Sequence, residues 1–212
     1  MTDFFHAYDL RGTYPDQIGD EEAERLGRAF AAHVRDESEQ DVPEIVVGRD
    51  GEDVTDAFVA GGTASGVAVR DVGIAVTPAL YYASWRDDCY SVAVTASHNP
   101  PEYTGFKFSR PGGLAMSRAG GMADVERRYE WLESGAGAGG GGPSDDVSGA
   151  PDAGGERTED AGLIDDYVEF VASRVELDAE VSVAANFGNG VAADRGVDLL
   201  ERIGCDVTPV ND

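Results

Sequence analysis

The chain has 212 residues, 42% of them hydrophobic, and 41 acidic against 16 basic residues give it a formal net charge of -25. Such a charge repels nucleic acid phosphates and anionic lipids, so we expect neither nucleic acid nor a membrane among its partners. Almost no lysine beside so much Asp and Glu favours a halophilic protein, with an acidic mesophilic protein as the alternative. The absence of an apolar run of about 18 residues or a signal peptide predicts a cytoplasmic protein.

The first two-thirds of the chain alternates predicted helices with short apolar strands. Residues 20–35 predict an amphipathic helix, because Leu26, Phe30 and Val34 recur at four-residue steps. Alternating strands and helices predict an α/β sandwich, in which ligands gather in loops after the carboxyl ends of strands. The other predicted elements here are strands at 44–48, 72–76, 90–94 and 105–109, and helices at 54–69 and 122–132.

The composition changes after residue 133. Residues 134–158 are rich in Gly, Ser and acidic residues, which is typical of a flexible linker or surface insertion. A second α/β unit follows and does not continue far enough to cover a sheet on both faces, so we expect an incomplete second domain. The predicted division is a first domain at 1–133, a linker at 134–158 and a truncated second domain at 159–212. The elements of the second unit are helices near 163–175 and at 192–203, strands at 181–185 and 206–210, and a turn at 186–190.

Lys107 is the only lysine in the chain, and it follows a stretch dense in chemically useful groups. Residues 95–107 are Thr-Ala-Ser-His-Asn-Pro-Pro-Glu-Tyr-Thr-Gly-Phe-Lys. Ser97 offers a hydroxyl, and His98 and Asn99 offer hydrogen-bonding groups, in a loop that follows a predicted strand. Lysine can lose its proton when buried whereas arginine stays charged, so Lys107 is a candidate for acid/base chemistry.

The residues of this loop also allow two other interpretations, serine hydrolysis and a purely structural turn. Serine hydrolysis usually places the nucleophile in a G-x-S-x-G elbow, and no such elbow surrounds Ser97. A purely structural turn accounts for Asn99 and Pro100 but leaves Ser97, His98 and Lys107 together unexplained. Neither interpretation therefore accounts for the whole loop.

The serine loop resembles the active-site loop of the α-D-phosphohexomutases. Residues 5–12 (Phe-His-Ala-Tyr-Asp-Leu-Arg-Gly) are similar to the N-terminal signature of the phosphomannomutase/phosphoglucomutase branch. Residues 47–50 (Val-Gly-Arg-Asp) and 186–190 (Asn-Phe-Gly-Asn-Gly) resemble two further family segments, the latter opening the second domain. The resemblance implies a three-layer α/β/α first domain with a mixed sheet, followed by an incomplete second α/β domain.

The resemblance also implies a reaction. The implied enzyme is an intramolecular phosphotransferase that interconverts hexose 6-phosphate and hexose 1-phosphate, of mannose or glucose, through a phosphoserine and a bisphosphorylated sugar. Ser97 would carry the phosphoryl group, Lys107 would be the general acid/base, and His98 and Arg11 would complete the catalytic set. Mg²⁺ would bind the phosphate on Ser97. The residues implied for substrate or phosphate binding are Tyr8, Arg11, Asn99 and Arg49.

Some features depart from the family pattern or leave alternatives open. Arg11 could instead be a surface ion-pair residue in an N-terminal loop, and Arg49 could cap the next helix. Thr104 stands where the family usually has Asn, and Gly51-Glu52-Asp53 replaces a segment that usually holds Arg and Ser. The family's Asp-rich Mg²⁺ loop does not occur in 1–212, so we expect an N-terminal part that is inactive by itself. The alternatives are a non-catalytic remnant that binds sugar phosphate or a partner chain, and a phosphoglucosamine mutase.

Overall fold

The computed structural model describes residues 4–40, 43–51, 54–135 and 155–211. Helices and strands alternate along most of these ranges, as the sequence predicts. The strands are β1 (Leu10–Thr13), β2 (Glu44–Arg49), β3 (Ala68–Ile74), β4 (Tyr90–Val94), β5 (Tyr103–Arg110), β6 (Leu114–Ala115), β7 (Arg157–Glu159), β8 (Val181–Asn186) and β9 (Cys205–Val210). The α-helices are α1 (Asp20–Glu37), α2 (Thr55–Ala64), α3 (Thr77–Arg86), α4 (Met122–Glu133), α5 (Leu163–Ala172) and α6 (Ala193–Arg202).

A mixed seven-stranded sheet forms the centre of the first domain. Its strand order is β1-β5-β4-β2-β3-β7, with β6 paired to β5 off this path. β2 runs parallel to both β3 and β4, and the connections between these strands pass through α2 and α3, as parallel pairs require. β5 is antiparallel to β1 and β4 and so places the N-terminal segment beside the loop that follows β4.

Helices cover both faces of this sheet. Alternate side chains of β2 point to opposite faces, so Ile45 and Val47 join one buried cluster while Val46 joins the other. The first cluster includes Phe30 of α1 and Phe58 of α2, and burying each such ring contributes about 2 kcal/mol. The second cluster holds residues of α3 and α5. The predicted three-layer α/β/α architecture with a mixed sheet is therefore confirmed.

Two predicted boundaries around α2 and β3 are wrong. The helix predicted at 54–69 ends at Ala64, and the strand predicted at 72–76 occupies Ala68–Ile74 instead. Gly66 has a φ of +79°, in the left-handed region where glycine ends helices at little cost. The apolar residues beyond Gly66 fit a buried strand as well as a helix, so periodicity could not place the boundary.

The segment before the second unit returns to the first sheet. β7 pairs parallel with β3 in a register that places Arg157 opposite Val69. This strand spans the predicted boundary between linker and second domain, and it forms an edge of the first sheet. Residues 136–154, which make up most of the predicted linker, lie outside the described residues. The division at 133 and 159 stays a prediction.

The last part of the described chain forms a small separate sheet. β8 and β9 run parallel with α6 between them, and α6 lies against both β9 and α5. Ala185 is buried, whereas α6 has no fully buried residue and Val181 and Val210 are about two-fifths exposed (40% and 41%). Helix α5, by contrast, buries Leu163 and Ile164 against the first sheet. No helix in the described ranges is long and apolar enough to cross a bilayer.

Candidate active site

Ser97 lies in the loop between β4 and β5, at the carboxyl end of a central strand, and its side chain is exposed. Its φ is 60°, in the left-handed region, which costs a non-glycine residue about 1–2 kcal/mol. Its Oγ lies 3.2 Å from Nδ1 of His98. Backbone strain of this kind persists only where the surrounding structure holds it in place. It is concentrated at functional sites.

A relay of two hydrogen bonds holds the Ser97 backbone. The Ser97 N–H donates to Thr95 Oγ1 at 2.8 Å, and the Thr95 hydroxyl donates in turn to the Asp50 carboxylate. The Asp50 N–H donates to the Val94 carbonyl at 3.1 Å, which joins the ends of β2 and β4. Sequence reasoning missed Asp50 and Thr95 as positioning residues. Their place at the ends of adjacent parallel strands was the signal that could have found them.

His98 and Asn99 have different surroundings within the same loop. His98 is exposed and contacts the Ser97 hydroxyl. The Asn99 side-chain amide donates to the Ala96 carbonyl at 2.8 Å, and the Asn99 backbone N–H donates to the same oxygen at 3.2 Å. The contacts of Asn99 are thus those of a turn residue, as the structural interpretation of this position expects.

Lys107 and Arg11 converge on one carboxylate oxygen. The Asp9 Oδ2 accepts from Lys107 Nζ at 3.1 Å and lies 2.9 Å from Arg11 Nε and 2.7 Å from Arg11 Nη2. The three side chains are 13%, 23% and 28% exposed for Asp9, Lys107 and Arg11. Burial by itself raises the pKa of Asp9, but the two cations outweigh it and the net pKa lies below the ordinary value.

Strand pairing places this cation pair near the serine loop. The prediction that Arg11 lies in a loop is wrong, because Arg11 belongs to β1 and lies opposite Gly105 of β5. The Gly105 carbonyl in turn accepts from the Thr95 N–H at 2.8 Å, one strand further across the sheet. A Cβ at Gly105 would lie 2.5 Å from the Leu10 carbonyl oxygen, so only glycine permits this close approach of β1.

Arg49 and Tyr8 occupy different surroundings. Arg49 Nη1 lies 3.0 and 3.1 Å from the two carboxylate oxygens of Asp71, and Arg157 Nη2 lies 2.6 Å from Asp71 Oδ2. Arg49 does not cap α2, whose N-cap is Val54. It lines a cavity of about 210 Å³ with Asp71 and Arg157, distinct from the cavity beside Ser97. Tyr8 is 63% exposed. Phosphate binding by Arg49 and Tyr8 stays a prediction.

A cavity of about 360 Å³ lies beside Ser97 and His98. Thr77 and Pro78 form part of its wall and open α3, whose N-terminal dipole favours anions. Val191, from the connection between β8 and α6, forms another part. The first domain and the second unit thus share one cavity, with an exposed hydroxyl and a helix N-terminus on its walls.

The described residues do not provide a complete metal site. They contain no group of three or more His, Cys, Asp or Glu side chains that could hold a metal ion. Mg²⁺ needs near-octahedral oxygen coordination, and one phosphate on Ser97 would supply only part of it. The Mg²⁺ implied by the resemblance is therefore not accounted for by these residues.

Comparisons with known proteins agree with the fold described above. Residues 2–134 match the family model described as phosphoglucomutase/phosphomannomutase, alpha/beta/alpha domain I. The whole chain aligns at 33% identity with a phosphoglucomutase/phosphomannomutase of Thermococcus kodakarensis, and 97% of it aligns at 29% with a phosphomannomutase/phosphoglucomutase of Pseudomonas aeruginosa. A crystal structure of a phosphoglucomutase/phosphomannomutase family protein from Burkholderia thailandensis superposes with a TM-score of 0.79 at 26% identity.

The matched relatives are longer than this chain. The chain spans 45% of the Thermococcus relative and 41% of the Pseudomonas relative, and it covers 44% of the Burkholderia chain. The family model nevertheless covers more than half of the 212 residues, including the serine loop, Asp9, Arg11 and Lys107. The chain therefore belongs to the phosphoglucomutase/phosphomannomutase family.

Proposed function

We propose that this chain is the N-terminal part of a phosphohexomutase that interconverts hexose 6-phosphate and hexose 1-phosphate through a phosphoserine at Ser97. The observation that carries the proposal is the strained, exposed Ser97 at the end of β4. Lys107 lies on the adjacent strand β5, and Arg11 lies one strand further, on β1. A nucleophile fixed by its backbone and a pair of cations are what phosphoryl transfer needs, because positioning and charge stabilisation dominate its catalysis.

The proposed reaction has two transfers. In the first, the phosphoryl group moves from Ser97 Oγ to a free hydroxyl of the sugar, the Oγ–P bond breaks, and the serine oxygen takes up a proton. The product is a bisphosphorylated sugar, which turns over within the site. In the second transfer, the Ser97 hydroxyl loses its proton and takes the other phosphoryl group; the O–P bond to the sugar breaks, and the freed sugar oxygen takes up a proton to give the isomeric monophosphate. No net oxidant or reductant is consumed.

Each site residue has a role in this proposal. Lys107 moves the proton of the reacting hydroxyl, and Arg11 binds oxygens of the transferring phosphoryl group. His98, at hydrogen-bond distance from Ser97 Oγ, orients the group that Oγ carries. Tyr8, Asn99 and Arg49 keep the roles in substrate or phosphate binding that the resemblance implies, but Arg49 lines a different cavity from Ser97, so we do not assign it a contact with the phosphoryl group in transfer. Mg²⁺, when bound, would neutralise phosphate charge, with the Ser97 phosphate as one ligand and the remaining ligands outside the described residues.

Substrate and compartment belong to the same proposal. We propose mannose or glucose phosphates as substrates, and the cytoplasm of a halophile as the compartment, on the basis of the acidic composition. A phosphoglucosamine mutase remains an alternative, against which Tyr8-Asp9 before Leu10-Arg11-Gly12 argues. A second candidate is a non-catalytic remnant that binds sugar phosphate or a partner chain.

The first test is the intact mass of the native protein from its own host. A mass well above 22.3 kDa with one phosphate mapped to Ser97 would support a mutase of which this chain is one part. A mass equal to these 212 residues without phosphate would overturn the mutase and leave the remnant. Incubation with mannose, glucose and glucosamine phosphates, with Ser97→Ala as the matched control, would then identify the sugar.

A further inference from the structure

We propose that Asp9 is a positioning residue: its Oδ2 oxygen assembles Lys107 and Arg11 into one cation pair before a phosphate arrives. The inference rests on the proposed function and adds a role that the resemblance does not give to Asp9. Both cations contact the same oxygen, Lys107 at 3.1 Å and the nearest Arg11 nitrogen at 2.7 Å. Two cations this close repel each other, and a shared carboxylate removes that repulsion.

The fold holds Asp9 in place independently of the two cations. The His6 N–H donates to the Asp9 carbonyl at 2.9 Å, and the Arg11 N–H donates to the Phe4 carbonyl at 3.0 Å, so residues 4–11 form a tight hairpin. The rings of Phe4 and Phe5 pack on Tyr129 of α4 with centroids 5.5 and 5.7 Å away. Asp9 is thus fixed by packing, and it can orient two flexible side chains that come from different strands.

The Asp9 arrangement also explains how the cations can be released. An arriving phosphate carries more charge and more acceptor oxygens than one carboxylate oxygen, so Lys107 and Arg11 can exchange Asp9 for the phosphate without being reassembled. The side chains of both cations are about a quarter exposed (23% and 28%), so a ligand can reach them. Asp9 itself touches no reacting atom in this scheme.

The single lysine allows a direct test on the chain as it is. Acylation of Lys107 by an amine-reactive acetylating reagent can be followed by peptide mass spectrometry, with the N-terminal amine as an internal reference. In the wild-type chain the Lys107 amine donates to Asp9 Oδ2, so Asp9→Asn should release it, and the Arg11 guanidinium, no longer offset by the carboxylate, should repel it toward the reagent. We expect Asp9→Asn to raise the Lys107 rate about tenfold relative to the N-terminal amine.

Three variants separate positioning from mere loosening of the fold. Asp9→Glu keeps a carboxylate and should remain within about threefold of the wild-type rate, whereas Asp9→Asn/Arg11→Gln should lose most of the tenfold gain. Asp124→Asn is the matched control, since Asp124 of α4 also accepts from several groups, His33 of α1 and Arg127 and Arg128 of α4, on another part of the fold. It should leave the Lys107 rate unchanged. An equal gain in the Asp124 variant, or none in the Asp9 variant, would overturn the inference.

A second measurement covers the case in which Asp9→Asn does not fold. Carboxyl-carbon NMR of the chain with Lys107→Met should show the pKa of Asp9 rising from its lowered wild-type value, because one of its two cations is gone. An unchanged Asp9 titration would overturn the inference. Neither experiment uses mutase activity, so an unphosphorylated native protein would refute the proposed function while leaving the Asp9 result to stand or fall by itself.

Discussion

Asp71 and Asp9 each bind two cations, yet the surroundings of the two carboxylates differ. Asp71 forms ion pairs with Arg49 and Arg157 and accepts a hydrogen bond from the Gly73 N–H at 2.8 Å. Its side chain is only 4% exposed. Asp9 receives Arg11 and the only lysine, and its side chain is 13% exposed. The Asp71 cluster joins β2, β3 and β7, whereas the Asp9 cluster lies near the serine loop.

The difference teaches how one electrostatic arrangement can have two functions. Both partners of Asp71 are arginines, which stay charged at any ordinary pH, and the cluster ties an edge strand to the sheet. One partner of Asp9 is a lysine, which can give up its proton. The choice of lysine over arginine, more than the count of ion pairs, therefore distinguishes a structural cluster from a candidate catalytic one.

The largest expected effect is on the rate of phosphoryl transfer, and it should distinguish Arg11 from Arg49. Arg11→Gln should slow phosphoryl transfer to or from Ser97 by about a hundredfold or more, because it removes a cation aimed at the developing charge. Arg49→Gln, the matched change in the other cluster, should alter that rate less than about threefold. The rate can be followed as loss or uptake of phosphate at Ser97 in the phosphorylated native protein. A similar loss of transfer rate in both variants would mean that Arg49 also acts in the transfer step.

The next effect concerns stability. Asp71→Asn should lower the free energy of unfolding by about 2–3 kcal/mol, because it removes the nearly buried negative charge that Arg49 and Arg157 share and leaves Arg157 only its exposed pair with Asp56. Asp9→Asn should cost about 1 kcal/mol, since the Asp9 carboxylate is itself more exposed than that of Asp71, 13% against 4%. Urea unfolding in about 1 M salt, where surface repulsion is screened, measures both. A larger loss for Asp9 than for Asp71 would contradict the comparison.

The lowered pKa of Asp71 should make the stability of the folded chain sensitive to acid. Burial raises the pKa of Asp71, but the Gly73 N–H and the two arginines outweigh it, so the folded-state pKa lies below the ordinary value. Its stabilising contribution is therefore present above about pH 3.9 and is lost as the pH falls through the folded-state value. We expect the urea midpoint of wild type to fall more steeply between about pH 5 and pH 3 than that of Asp71→Asn. Parallel curves would show that other carboxylates dominate.

The smallest effect tests the relay that holds Ser97. Thr95→Val removes the hydroxyl between the Asp50 carboxylate and the Ser97 N–H, and should cost about 1 kcal/mol. Amide hydrogen exchange at Ser97 should become faster in this variant. Thr104→Val, a change of another buried threonine in the neighbouring strand, serves as the control and should leave the Ser97 amide unaffected. If the Ser97 amide is equally protected from exchange in both variants, the relay through Thr95 does not hold the Ser97 backbone.

Local patterns predicted the elements that carry a clear period or a dense motif. The helix around Phe30 and the strand at 90–94 follow directly from spacing and apolar content. Periodicity could not locate α3, because its apolar and polar residues are mixed and Pro78 stands near its start. β7 has no apolar side chain at all (Arg-Thr-Glu), so only its pairing with β3 identifies it as a strand.

The site was predictable only as far as its motif extends. Ser97, His98 and Lys107 lie in one dense stretch, so the sequence indicates them together. The link between Lys107 and Asp9 spans 98 positions and exists only because β1 and β5 pair. The Arg49 side chain pairs with Asp71 rather than with the serine loop. Asp71 lies 22 residues later in the chain but in the adjacent strand of the sheet. Such contacts follow from topology, which single-residue chemistry does not encode.

Val191 has a consequence for how the two parts of the molecule communicate. It stands two residues before α6, and α6 is tied to α5 by ion pairs from Arg195 to Asp165 at 2.6 Å and from Arg202 to Glu169 at 3.1 Å. Because Val191 also lines the cavity beside Ser97, a ligand that extends from Ser97 to Val191 would contact both parts. Binding of such a ligand would favour the position of α6 seen here, and a change in the position of α6 would in turn alter its affinity.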